Sequence, residues 1–209
     1  RAVDSSGQNR DAFYEPAVVF FLEGPRADWF CAGGELNRAA HFAGGRLESR
    51  IAGLKDRYSV SLWFWNGMPA EGREIAGWMF SRGHDHGLGP HGDHLGIGGT
   101  AAAPGKLIFQ HGDERDGAKL QAGRTEIARW TWNHAVLVRD GQAVRVYLNG
   151  AAQPEIETEA PADLPPALDQ LFFGGRCDNQ SNWEGRLDEI AVFDRALSAE
   201  EIAGLSRHE

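Results

Sequence analysis

The apolar positions of this chain come in short runs separated by clusters of Gly, Pro, Asn, Asp and Ser. Period-two alternation inside the runs predicts strands, and the separators predict turns. Tyr58 to Trp65 is the clearest case. Val60, Leu62 and Phe64 fall on one face, and Ser59, Ser61, Trp63 and Trp65 on the other. Both faces carry bulk, so both are expected to be covered at least in part. Ala17 to Leu22 reads as a short buried strand closed by a Gly24-Pro25 turn, and Ala39 to Ile51 as two strand fragments around Gly44-Gly45. Ile75 to Ser81 and Lys106 to His111 are further strands, with Gly83 to Gly99 between them as a long loop rich in Gly and His. Trp132 to Arg139 and Ala143 to Leu148 flank Asp140-Gly141. Gly accepts positive φ there without penalty, which predicts a tight hairpin. Pro154 to Pro166 reads as an exposed connection with room for an edge strand, and Leu171 to Gly174 and Leu187 to Phe193 complete the strands. Ser198, with Glu201 three residues later, forms a capping box and predicts one short helical turn. Arg1 to Asn9 is polar and made largely of turn formers.

Many short strands, almost no helix and regularly spaced turns describe an all-β antiparallel sandwich or barrel. No repeat or linker divides the 209 residues, so a single domain over 1–209 is expected. The 27 glycines are spread between the apolar runs, as turns between strands require. The net charge of -9 opposes a nucleic-acid partner, because neutralising phosphates takes clustered Lys and Arg. No apolar run is long enough to span a bilayer. The chain begins at Arg1 rather than Met, as expected of a processed or excised product, from which a signal peptide could have been lost. Cys31 and Cys177 allow at most one disulfide and are too few for a cysteine-based zinc site; whether they are bonded stays open.

Several residues carry candidate chemistry. Asp188 stands at the head of an apolar strand between Leu187 and Ile190. A carboxylate partly buried there must be hydrogen-bonded, ion-paired (Arg186 is near in sequence) or metal-bound. The loop from Arg82 to Gly99 holds His84, Asp85, His86, His91, Asp93 and His94. Imidazole with carboxylate suits zinc, copper or nickel, although the spacing matches no metal motif. A weak transition-metal loop at His84, His86, His91 and His94 therefore stands beside two other readings: polar surface residues, or a loop that shapes a ligand site. A glycosidase needs two facing carboxylates. Glu155, Glu157 and Glu159 alternate without the Asp such a motif carries, and Asp188 and Glu189 are adjacent, hence on opposite strand faces. No nucleophile elbow or phosphate loop occurs, so no catalytic residue is named. There are seven Trp residues; most are expected in the core, with Trp183 and Trp78 exposed enough to stack on a ligand. Arg176, Asp178, Asn179 and Asn182, on a polar loop beside Trp183, could supply hydrogen bonds.

Four stretches together carry a resemblance. The run W-N-H-A-V-L-V-R-D-G-Q-A-V-R-V-Y-L-N-G (Trp132 to Gly150) resembles the central hairpin of laminin-G-like domains of the concanavalin A-like lectin/glucanase superfamily. G-R-L-D-E-I-A-V-F-D-R-A-L-S-A-E-E-I (Gly185 to Ile202) resembles their closing strand and terminal helical turn. D-S-S-G-Q-N-R-D-A (Asp4 to Ala12) is similar to their usual start, with Gln8-Asn9 where Asn-Gly is commoner, and Tyr58 to Trp65 resembles an early strand. The resemblance implies a concanavalin A-like jelly-roll sandwich of two curved antiparallel sheets. It also implies a structural Ca2+ at the sandwich edge, bound by Asp4, the Asn9 backbone, the carbonyl of Gly44 or Gly45, and Asp188. That ion would pin the N-terminal segment to the closing strand. The expected function is a non-catalytic module that recognises a carbohydrate or protein surface. It would belong to a larger bacterial protein that is extracellular, periplasmic or on the cell surface. The alternatives are a glycoside hydrolase or lyase of the same fold, and an architectural domain with no ligand of its own.

Overall fold

The computed structural model describes residues 1–26, 36–113, 117, 119–162, 164–165 and 167–206. Two antiparallel sheets of seven strands face each other. The first runs, in spatial order, β1 (Phe13–Tyr14), β4 (Leu47–Arg50), β13 (Gln170–Phe173), β6 (Ile75–Arg82), β7 (Asp93–Gly99), β8 (Ala102–His111) and β9 (Gln121–Glu126). The second runs β12 (Ile156–Glu159), β11 (Ala143–Leu148), β10 (Trp132–Asp140), β5 (Arg57–Asn66), β14 (Glu184–Phe193), β3 (Arg38–Ala43) and β2 (Val18–Glu23). Val60, Leu62 and Phe64 of β5, with Leu137 of β10 and Val144 and Val146 of β11, pack against Phe80, Leu95, Ile97, Leu107 and Phe109 of the first sheet. This is the expected all-β jelly-roll sandwich, and the alternation read from Tyr58 to Trp65 supplies its centre.

Both sheets are also covered on their outer faces. Helix α1 (Ala199–Leu205) lays Ile202 against Val136, Val138 and Tyr147 of the second sheet. Its start is the predicted capping box: the Ser198 hydroxyl accepts from Glu201 N, and the Glu201 carboxylate accepts from Ser198 N at 2.9 Å. Over the first sheet, the loop after β13 (residues 174–183) lies on β6. Cys177 N donates to Ser81 Oγ at 2.9 Å, and Asn182 bridges to Trp78. The loop after β6 meets the 174–183 loop, with His86 N donating to Cys177 O at 2.9 Å.

The Gly- and His-rich stretch departs from expectation in its second half. Asp93 to Gly99 is a fully buried strand between β6 and β8. Its glycines disguise it, because they lower strand propensity. They are there for room: a Cβ on Gly96 would stand 2.4 Å from Gly77 O, and one on Gly99 2.2 Å from Arg73 O. The alternation survives beneath, with Leu95 and Ile97 in the core. The short strands β1 and β9 also went unpredicted; neither carries an apolar alternation. In the β10–β11 hairpin Asp140 pairs with Ala143, so the turn is Gly141-Gln142, one residue later than read, with Gly141 at φ 63°.

Asp93 faces inward among apolar side chains and is neutralised there. Its carboxylate accepts from Tyr58 Oη (2.6 Å), His111 Nδ1 (2.7 Å) and Arg139 Nη1 (2.8 Å), which joins the two sheets. Burial alone would raise its pKa, but these partners outweigh burial and hold it at about 2. Replacing Arg139 with Met should therefore strand a buried carboxylate and cost about 3–5 kcal/mol, read as a lower denaturation midpoint in urea. A variant within about 1 kcal/mol of the parent would mean that the cluster adds little to stability.

Candidate functional site

A cavity of about 590 Å³ opens at one edge of the sandwich, where β1 and β4 of the first sheet approach β14 and β3 of the second. Its floor is apolar, from Leu47, Ile51, Phe173 and Leu187. Its polar wall holds Asp4, Ser6, Arg10, Tyr14, Arg38, Asp188 and Glu189. The N-terminal segment forms one side. Ala2 pairs with Ala12, and within that loop Asp4 accepts Ser6 N at 2.8 Å and Arg10 N at 2.9 Å. The Arg10 backbone amide first, then the Ser6 hydroxyl and amide, bring the Asp4 pKa down to about 2, so it is ionised. A stretch that could have frayed is thus folded against the closing strand.

Asp188 reaches the same cavity through an irregularity. The pairing of β14 with β5 shifts between Asp188 and Ala191, and Glu189 sits at φ 47°. Such a bulge re-aims side chains, so the core alternation resumes at Ile190 and Val192 while two carboxylates stay at the rim. Asp188 Oδ2 accepts from Asn37 Nδ2 at 2.7 Å. Arg186 is not its partner: that guanidinium lies over the Trp65 ring and donates to Glu23 O. Burial first, and the neighbouring Glu189 charge second, raise the Asp188 pKa to about 6. Burial also raises Glu189. Asp188 in turn helps to raise the Tyr14 hydroxyl, after burial, so its charge is felt across the cavity.

The expected calcium ligands are therefore divided. Asp4 and Asp188 line one cavity. Asn9 is exposed at φ 57° and is not part of the lining. Gly44 lies beyond the Ala43–Glu184 end of the β3–β14 pair, whereas Asp188 follows the Leu187–Ala40 pair. Five residue steps of strand separate these points by about 16 Å, and the Gly44 carbonyl accepts from Asn182 Nδ2 at 2.7 Å. Gly44 thus cannot share an ion with Asp188. Gly45 leaves the set too, as it is not in the lining. Oxygen donors of this kind, carboxylates with serine hydroxyls, suit a hard cation. Among the described residues no group of three or more His, Cys, Asp or Glu comes together for a metal. A cation at this wall would draw its remaining ligands from carbonyls and water.

The other candidates fall as follows. Trp78 and Trp183 are fully buried rather than exposed: the 174–183 loop covers Trp78, and Trp183 packs into the core beside Phe64. Among the described residues Trp130 is the exposed indole, at 62% with φ 62°, and Arg129 covers one ring face at 4.3 Å. Of the loop residues, Arg176 pairs with Asp178 through two contacts of 2.9 Å, and Asn182 Nδ2 donates to Asn179 Oδ1. The His loop disperses. His84 and His86 are exposed, His91 lies beside His111 at 6.2 Å between ring centres, and His94 is buried on the outer face of β7. Asp85 binds the buried Arg46 at 2.8 Å. Glu155 accepts from Arg124 N and Thr125, and Glu157 pairs with Arg145, so these acids hold the β12 edge together. Cys177 is a free buried thiol donating to Gly87 O; Cys31 lies outside the described residues.

The family model described as the concanavalin A-like lectin/glucanases superfamily, for laminin G-type domains, matches residues 43–203. A comparison with curated protein sequences finds no match. Among solved structures, domain 4 of AbnA, a GH43 extracellular arabinanase from Geobacillus stearothermophilus in complex with arabinotriose, superposes with a TM-score of 0.68 at 18% identity, over 97% of this chain and 91% of that one. A SAP-like pentraxin from Limulus polyphemus, described as heptameric, gives 0.56 at 17% identity over 91% and 82%. The receptor binding domain of botulinum neurotoxin C/D mosaic serotype gives 0.65 at 14% identity. The chain covers 48% of that domain, about half its length. These likenesses support the fold.

The pH behaviour of Asp188 can be tested directly. Its folded pKa, about 6, lies above the unfolded value of 3.8. Its contribution is therefore fully present below about pH 4 and lost as pH rises through about 6, a fall of about 2–3 kcal/mol. With chelator present, Asp188→Asn should lack most of this fall in urea unfolding at acidic and neutral pH. An unchanged pH slope in the variant would reject the assignment.

Proposed function

The chain belongs to the laminin G-type domains of the concanavalin A-like lectin/glucanases superfamily, and from that premise we propose that it is a non-catalytic recognition module of a larger exported bacterial protein. The observation that carries this reading is the cavity at the sandwich edge. Its volume, about 590 Å³, falls within the range of small-ligand sites, and its mixed apolar and polar lining is of the kind such sites have. A saccharide of a few rings matches that size and chemistry, with hydroxyls meeting Arg10, Arg38 and the carboxylates and ring C–H faces meeting the apolar floor. Similarity in fold to an arabinanase domain in complex with arabinotriose supports a carbohydrate over a protein ligand. No helix among the described residues is long and apolar enough to cross a membrane.

Calcium has a structural part in this proposal. Asp188 and Glu189 bring carboxylates to a half-buried rim, where both pKa values are raised. A divalent cation at this rim, with carbonyls and water completing its ligands, would relieve that cost and draw the N-terminal loop toward β14. Gly44 and Asn9 have no place in this version of the site.

Two measurements test the proposal. A glycan array that includes arabino-oligosaccharides, run beside a polysaccharide-degradation assay, should give binding without turnover. Turnover abolished by Asp188→Asn would establish the hydrolase alternative, and silence in both assays would favour an architectural domain. Separately, the melting temperature should rise by several degrees on replacing chelator with millimolar calcium, with the rise absent in Asp188→Ala. Identical melts of the parent chain in calcium and in chelator would remove the ion from the account.

A further inference from the structure

Three unpartnered polar atoms belong to neighbouring side chains on the outer face of the first sheet, away from the edge cavity. They are Trp78 Nε1, His94 Nε2 and Gln110 Oε1. All three side chains are fully buried, with 0% of their surface exposed. Polar atoms enclosed in this way ordinarily have a partner, and each one without a protein partner calls for another.

Their placement follows from the register. Ser81 of β6 pairs with His94 of β7, and His94 pairs with Gln110 of β8, so the three side chains form a row on one face. Directly paired residues have Cβ atoms about 4.5–5.5 Å apart. Trp78 pairs with Gly96, whose lack of a side chain lets the indole lie edge-on to the His94 ring at 6.0 Å between centres. The roof is the 174–183 loop, with Arg176 over the Trp78 ring at 5.3 Å.

The proton assignments follow from the surrounding bonds. Ser81 Oγ accepts from Cys177 N, and we assign its proton to the 2.8 Å bond with His94 Nδ1, the arrangement in which the buried hydroxyl both accepts and donates. That leaves His94 neutral with its proton on Nε2. Burial first, then the Arg176 charge, lower the His94 pKa to about 3, in keeping with a neutral ring. Gln110 Nε2 donates to Gly112 O at 2.8 Å, which leaves its Oε1 as acceptor. The group thus offers two N–H donors and one carbonyl acceptor. An anion would be repelled by the Gln110 oxygen, and a cation by the two N–H groups. An oxygen that accepts two hydrogen bonds and donates one satisfies all three.

The geometry points to a closed binding site for one hydroxyl oxygen, formed by Trp78, His94 and Gln110 beneath the 174–183 loop. Such an oxygen comes from water or from a small polyol admitted when the loop lifts. Water makes about three hydrogen bonds at buried sites of this kind.

Side-chain NMR on the whole chain tests the site, with the Trp78 indole signal assigned by its loss in Trp78→Phe. If water is the occupant, the indole N–H shows a cross-relaxation peak to a long-lived water, and added glycerol leaves its shift unchanged. If a polyol is the occupant, glycerol moves the indole signal saturably and removes the water peak. In either case Gln110→Leu should move the Trp78 indole resonance and abolish the peak or the saturable shift. The site is refuted if the parent chain shows neither a water peak nor a saturable shift. It is also refuted if Gln110→Leu, still folded by the dispersion of its other signals, keeps the response. Should that variant not fold, a high-resolution crystal structure of the parent decides. Density within hydrogen-bond distance of all three atoms supports the site, and its lack refutes it.

Discussion

Three buried arginines hold the loops of this sandwich to its strands. Arg46, Arg82 and Arg139 are all essentially inaccessible, and each donates to at least two backbone carbonyls of the loops packed around it. Arg46 reaches Arg176 O and Cys177 O, Arg82 reaches Leu168 O and Lys55 O, and Arg139 reaches Gly141 O and Ala160 O. The reason is general: loops packed over a sheet bring in carbonyls that water no longer reaches, and these need donors. The guanidinium group offers five in a fixed plane. Glu15 and Asp85 neutralise Arg46 and Asp93 neutralises Arg139, as burial requires, while the Arg82 guanidinium lies over the Tyr58 ring at 4.9 Å.

These ties decide which surfaces can act. With α1 on the second sheet and the 174–183 loop on the first, both flat faces are in large part closed. The edge by β1 and β14 is different. There the bulge at Glu189 interrupts the pairing, the N-terminal loop docks, and carboxylates meet a cavity. A recognition site at this edge needs no rearrangement of either sheet. The exposed Trp130 lies in the connection between β9 and β10 and is a separate feature. Its positive φ puts a bulky residue in a costly backbone region.

Much of the fold was legible because a strand's alternation is local. Tyr58 to Trp65, the Trp132 to Leu148 hairpin and the Ser198 capping box each contain their own evidence within a few residues. Asp93 to Gly99 was harder, since its glycines serve neighbours on β6 and β8 and weaken the signal that defines a strand. The candidate site was legible in half. Asp4 and Asp188 stand at one cavity, while Gly44, brought in by resemblance to a family pattern, lies at the far end of the same strand pair.

By itself, then, the sequence determined the number and class of most strands, the central core face, the helix start and the presence of an acid at the closing strand. Each follows from interactions between residues near one another in the chain. Only the tertiary structure decided that Trp78 and Trp183 are buried, that His94 and Gln110 share a closed polar site, and that Asp188 has Asn37 rather than Arg186 as its partner. Those outcomes rest on contacts such as Cys177 to Ser81 and Asn37 to Asp188, across 96 and 151 residues. No local pattern encodes which loop covers which face.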